Sequence, residues 1–287
     1  MNKHEVAIPG IYYQKLNGYS ISSILGELIE PFDREGVALK TYNNHFNDES
    51  SKYYQMTIPQ ILEQWDANAQ RSIMLGCCAD DYVGYKLAPM EMKISFDTWL
   101  ENHNFNSDIE LQNHCKAAQK FIDAQSDKDY MYFVGREIPL AYYFTENNIK
   151  YQVRGRLDNL FYNQRIKKYV IVDYKTADDL TLETTKWTEK MLGPAKCYPA
   201  LKLFKFTFQL HFYRLALSQM LGIPLSDIVA CIVQLKSDGE YTVWKEAFEL
   251  NNETQYFDLG VWKWAIKQID ERKYAAAKVP TDEESLF

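Results

Sequence analysis

The sequence predicts an α/β fold, a central mixed β-sheet flanked by helices. Three observations lead there. Residues 131–176 read as three strands in succession, joined by the short turns Asn147-Asn148 and Asn163-Gln164-Arg165, which implies an antiparallel meander. Residues 206–221 carry Phe206, Leu210, Tyr213, Leu217 and Met220 on one side, then Gly222 and Pro224, which is a helix with its stop. Residues 227–235 follow as the continuous apolar run of a buried strand.

The chain has 287 residues, 46% hydrophobic and 25% charged, enough for one large domain or two small ones. Aromatic content is 15%, with 21 tyrosines, a supply that suits a large core and base-stacking surfaces alike. No apolar run approaches a membrane span, and the first ten residues lack the apolar core of a signal peptide. The expected location is the cytoplasm, or a host's cytoplasm if the protein is viral. The five cysteines, Cys77, Cys78, Cys115, Cys197 and Cys231, are odd in number, with no Cys-x-x-Cys. That argues for reduced thiols and against a zinc ribbon, a disulfide framework or an iron–sulfur cluster. A net charge of −7 argues against coating duplex DNA by bulk electrostatics and leaves room for a local basic groove.

In order, Pro9-Gly10 marks a turn, Ile21 to Ile29 a short helix, and Thr41 to Ser51 a polar loop. Thr57, Pro59 and Gln60 form a helix start with a capping-box glutamine. Ile58, Ile61, Leu62, Trp65, Ala69 and Ile73 make its apolar stripe, and Gly76 is a candidate end. Met90 to Trp99 alternates weakly, and Asp108 to Ala124 is a helix with Ile109, Leu111, Ala117, Phe121 and Ile122 on its apolar side. Ser126 to Asp129 is a turn, and Gly135-Arg136-Glu137 interrupts the first meander strand. Asp178 to Met191 reads as a short helix, Tyr241 to Phe248 as a strand and Asn252 to Tyr274 as a helix. Residues 1–56 are expected to pack as an appendage on a domain spanning 57–279, with 280–287 a flexible acidic tail.

The chemistry concentrates between Tyr151 and Thr176. One strand carries Asp158; the next carries Asp173 and Lys175, which share a face because side chains alternate along a strand. Two acids and a lysine on adjacent strands can hold a divalent metal and prepare a water for attack. Gln209 and Tyr213, four apart on the later helix, share a face. From Thr185 to Lys205 five lysines, Lys190 and Lys196 among them, stand against one glutamate, as either a solvated loop or a phosphate-contacting arm. Asp80-Asp81 reads as a solvated helix end or as a pair of metal ligands.

Gly155-Arg-Leu-Asp158, then Asp173-Tyr-Lys175-Thr, then Gln209-x-x-x-Tyr213 resembles the PD-(D/E)XK nuclease superfamily, most closely its RecB-like branch, which includes phage and mitochondrial single-strand exonucleases. The resemblance covers roughly residues 65–213 and makes 57–279 a nuclease domain. It implies Mg²⁺ or Mn²⁺ on Asp158 and Asp173, completed by the Tyr174 carbonyl. It implies that Lys175 orients the attacking water, that Gln209 and Tyr213 hold or buttress the substrate strand, and that Glu137 lies near the site. Gly76-Cys77-Cys78-Ala79-Asp80 falls where the family often has Gly-Thr-x-x-His, so Asp80 stands in place of a ligating histidine. The implied activity is a metal-dependent DNA exonuclease acting from a DNA end or single strand, with a single-strand-binding or recombination protein as a possible partner. The competing class is an inactive nuclease fold that binds nucleic acid or a protein. A restriction-type endonuclease fits the acids and lysine and leaves the Gln-x-x-x-Tyr helix unexplained.

Overall fold

A computed structural model describes residues 18–87, 96–102, 107–126, 130–186, 188–245 and 254–276. The expected turns at Pro9-Gly10 and at 127–129, the alternation over 90–95, the end of the 241–248 strand and the acidic tail lie outside them. The chain forms two compact units. The first comprises Met1–Glu30, Phe121–Gln234 and Tyr241–Phe287; the second comprises Pro31–Lys120 and Leu235–Glu240.

The architecture is α/β, with a six-stranded mixed sheet flanked by helices. Short strand β1 (Tyr19–Ser20) leads into α1 (Ile21–Gly26), whose start is capped by the Ser20 hydroxyl accepting from Ser23 N–H at 3.0 Å. The meander follows as β2 (Met131–Glu146), β3 (Ile149–Asn163) and β4 (Lys168–Lys175). Asn147 and Asn148, both at positive φ (49° and 63°), make the two-residue β2–β3 turn that asparagine tolerates. The Asn163 side chain accepts from the Arg165 and Ile166 N–H groups in the next turn. Helix α6 (Lys202–Leu221) begins four residues before its apolar stripe and ends with Gly222 at φ 65°. Strand β5 (Ile228–Leu235) then lies parallel to β4, with β6 (Tyr241–Trp244) beyond it. Helix α7 (Thr254–Ala276) closes the described chain.

Strand β2 occupies one edge of β3 from Ile149 to Asn163. The other edge is divided. Residues 159–163 pair with β4, residues 153–154 pair with β1, and 155–158 lie between the two. Strands β3 and β4 therefore fork just past the Asn159–Val172 pair. The core of this unit gathers α1, α6 and α7 on the sheet, with Trp262 edge-on to Tyr142 and Phe212 at 5.4 and 5.7 Å. On the outer edge of β2, the Gln219 amide of α6 accepts from Tyr143 N–H at 2.8 Å and donates to the Tyr143 carbonyl at 2.9 Å.

The second unit holds α2 (Arg34–His45), α3 (Ile58–Leu87), α4 (Phe96–Asn102) and most of α5 (Ile109–Ser126). Asp108 caps α5 and ion-pairs with Arg71 of α3 at 2.5 and 2.7 Å. His114 Nδ1 lies 2.8 Å from the Leu235 carbonyl, and Asn113 donates to the Ser237 carbonyl, which ties 235–240 into this unit. Among the described residues no helix is long and apolar enough to cross a membrane.

Four expectations are corrected. Thr41 to His45 is helical, because Asp33 caps a helix that starts at Arg34; with Ala38 its buried residue, it shows no apolar stripe. Helix α3 does not end at Gly76: Leu75, Ala79, Tyr82 and Val83 continue its apolar face, enough to carry a mid-helix glycine that costs about 1 kcal/mol. Ile73 and Ile109, expected on apolar faces, are exposed. The described residues of 178–191 form no helix, since Thr181 and Thr188 turn their hydroxyls onto the backbone N–H groups of Glu183 and Thr185.

Candidate functional site

Asp158 and Asp173 are the next residues on β3 and β4 beyond the Asn159–Val172 pair, so both stand at the mouth of the fork. Ile171, Asp173 and Lys175 share one sheet face, while Val172 and Tyr174 take the other. The Tyr174 ring is buried edge-on to Phe121 at 5.8 Å. The first face meets α6, whose stripe Phe206, Gln209 and Tyr213 is spaced i, i+3, i+7. Gln209 Nε2 donates to the Tyr213 hydroxyl at 2.7 Å. Burial, and then the negative charges of Asp173 and Asp158, push the Tyr213 phenol well above its ordinary pKa. Tyr213 is thus a neutral phenol in the field of both acids.

Gly155 sets that approach. A Cβ there would lie 2.6 Å from the Phe212 ring and 3.1 Å from the Tyr213 ring. The glycine of Gly-x-x-Asp lets α6 press onto β3 three residues before Asp158.

Asp173 is 1% exposed, and neither carboxylate oxygen accepts a hydrogen bond. Lys175 Nζ approaches Oδ2 at 2.7 Å, off the angle a hydrogen bond needs, so the contact is ionic. A buried carboxylate without hydrogen bonds is costly. Its oxygens lack donors, and oxygen ligands of this kind suit a hard divalent ion such as Mg²⁺ or Mn²⁺. Among the described residues, no three His, Cys, Asp or Glu side chains gather as a ready-made metal cluster. Lys175 Nζ also lies 4.8 Å from the centroid of the Phe206 ring. Gln234, opposite Lys175 on β5, donates to the Ala177 carbonyl at 2.8 Å and accepts from Trp244, which fixes the chain as it leaves β4. Beside the site, burial and then the Asp173 charge push the Cys231 thiol up to about 12, so it stays un-ionised.

The remaining sequence-derived residues are placed less centrally. Glu137, at φ 54° in β2, falls between the Arg136–Asn159 and Ile138–Leu157 pairs and so faces Asp158. Its carboxylate meets Arg156 Nε at 2.6 Å. Lys190 and Lys196 are exposed on a loop closed by the Lys190–Pro199 bridge. Asp80 lies within α3, in the second unit.

Sequence reasoning missed three residues. Phe206 read as core stripe, and its partner lysine lies thirty-one positions upstream. Gln234 sat inside an apolar run, where a lone amide was the available signal. Asn159 is fully buried with both polar side-chain atoms unpaired.

No family model matches the chain, and no curated protein does. Among solved structures it is similar to a candidate exonuclease of Eubacterium rectale, at 13% identity and a TM-score of 0.41, covering 90% of this chain and 82% of that one. It is also similar to the protein SSO0001, at 12% identity and a TM-score of 0.31, covering 67% of this chain and 70% of that one. Likenesses this remote carry no argument.

Proposed function

We propose that the chain is a metal-dependent DNA exonuclease of the PD-(D/E)XK superfamily, RecB-like branch, acting from a DNA end or single strand in the cytoplasm. The observation that supports it is the buried Asp173 carboxylate, without hydrogen bonds, beside Lys175 at a strand fork that also presents Asp158. Asp158 and Asp173 would hold Mg²⁺ or Mn²⁺, with the Tyr174 carbonyl as a further ligand. When bound, the ion supplies Lewis-acid polarisation of a phosphodiester and a water of lowered pKa. Lys175 orients that water and offsets the negative charge developing on the phosphate. Tyr213, kept neutral, and Gln209 hold the strand or buttress the acids. Glu137 steers Arg156 beside Asp158, and Lys190 and Lys196 are phosphate contacts. A single-strand-binding or recombination protein is a candidate partner.

The test is incubation of end-labelled single- and double-stranded DNA, linear and circular, with Mg²⁺ or Mn²⁺. The wild type degrades ends, while Asp173→Ala and Lys175→Ala each lose about 10²-fold or more. Binding that leaves every substrate intact with either ion overturns the enzyme in favour of a binding module. Cleavage of closed circles overturns the end requirement.

A further inference from the structure

Two of the neighbours of Lys175 at the site are unlike. Asp173 Oδ2, at 2.7 Å, is a charge that a divalent ion would claim. The Phe206 ring, centroid 4.8 Å away, is one that it would not. We propose that Phe206 is a positioning residue for Lys175, whose cation–π contact would keep the ammonium over the site when Asp173 serves a metal. This deepens the nuclease reading and rests on it for the identity of the ion.

The use of an aromatic anchor follows from charge. A carboxylate bound to a divalent ion no longer neutralises the lysine, and the ion itself repels the ammonium. The lysine stem carries much rotamer entropy, and the side chain is 20% exposed, so a route to solvent is open. The aromatic face attracts a cation without offering the metal a competing oxygen. The helix fixes the ring. Phe206 sits in the second turn of α6, where Lys205 N–H already bonds the Leu201 carbonyl, and it packs against the core cluster. It shares its stripe with Gln209 and Tyr213, so one helix face sets both the lysine and the phenol beside the acids.

The experiment compares Phe206→Leu, Phe206→Met, Phe206→Tyr and Phe206→Trp. Leucine and methionine keep an apolar side chain; tyrosine and tryptophan keep the aromatic face. The expected result is a fall in kcat of about 2- to 30-fold for the aliphatic variants, with KM little changed, and recovery to within about twofold in the aromatic ones. A second readout is independent of turnover. In protein labelled with ¹³C-lysine and titrated with Mg²⁺, the Lys175 ε-methylene signal, assigned through Lys175→Arg, stays shifted upfield by the ring. That shift vanishes in Phe206→Leu and survives in Phe206→Tyr. An unshifted Lys175 signal in the Mg²⁺-loaded wild type overturns the proposal, as does a Phe206→Leu protein that cuts at the wild-type rate. A wild type that retains the ring shift with Mg²⁺ and cuts no DNA leaves the lysine anchor standing and overturns the nuclease reading.

Discussion

At the scale of single residues, the site pairs a costly group with a cheap remedy. The Asp173 carboxylate gives up water and gains no hydrogen bond, and Lys175 offsets its charge. Removing the charge is therefore expected to stabilise the metal-free protein. Asp173→Asn should raise its Tm by about 2–4 °C, the shift that roughly 1 kcal/mol gives at this size, and should abolish stabilisation by Mg²⁺. The wild type should gain about 2.7 kcal/mol at an Mg²⁺ concentration a hundredfold above Kd. Thermal melts with and without the ion check both. An Asp173→Asn protein that melts lower than wild type and still responds to Mg²⁺ would remove Asp173 from the metal site. The placement of Asp158 and Asp173 on neighbouring strands, with Lys175 on the Asp173 face, was legible in the sequence because strand alternation and turn chemistry are local rules. The hydrogen-bond poverty of Asp173 was not, since it depends on which groups the whole unit brings near its two oxygens.

At the scale of elements, α6 and the β3–β4 fork are one device. Gly155 lets the helix approach, and Tyr213 arrives beside two carboxylates from different strands. Gly155→Ala should push the Phe212 and Tyr213 rings back, costing about 1–3 kcal/mol as overpacking does. Denaturant melts would show the loss, and cleavage should fall more than DNA binding does. An unchanged melt would mean that the helix has room the structure does not display. The meander, its turns and α6 were readable because periodicity and Asn or Gly signals marked them. Helix α3 misled at Gly76, since a glycine marks a stop when the apolar pattern ends and here the pattern continued through Leu75, Ala79 and Tyr82. The fork itself was invisible, because it arises where β1, from the start of the chain, claims the β3 edge that β4 leaves.

At the scale of the molecule, the two units carry different electrostatic dependences. In the second unit, the Arg71 guanidinium holds Asp108 below the usual carboxylate range, with the Leu111 N–H adding to it. A lowered folded-state pKa means that the unfolded chain binds the proton first. The stabilisation is complete above the unfolded value of about 3.9 and disappears as pH falls through the folded one. Asp108→Asn should therefore lower Tm at pH 6 and flatten its decline below about pH 4. Parallel wild-type and variant pH–Tm curves would remove Asp108 from the acid response. The division into these units was not legible in the sequence. Residues 235–240 join helices more than a hundred positions upstream through backbone carbonyls accepting from His114 and Asn113, and such bonds leave no pattern in composition.

The Gln219 clasp on Tyr143 bears on a hazard that has nothing to do with catalysis. Strand β2 is sixteen residues long, and its outer edge is the kind of surface on which a second chain can add a strand. By occupying both the N–H and the carbonyl of Tyr143, one glutamine imitates the partner strand and denies that edge to strangers. Pro139 withholds a donor further along, and the register shift between Phe133 and Gly135 bends the template. The same helix that sets Tyr213 beside the acids thus also covers part of this strand edge.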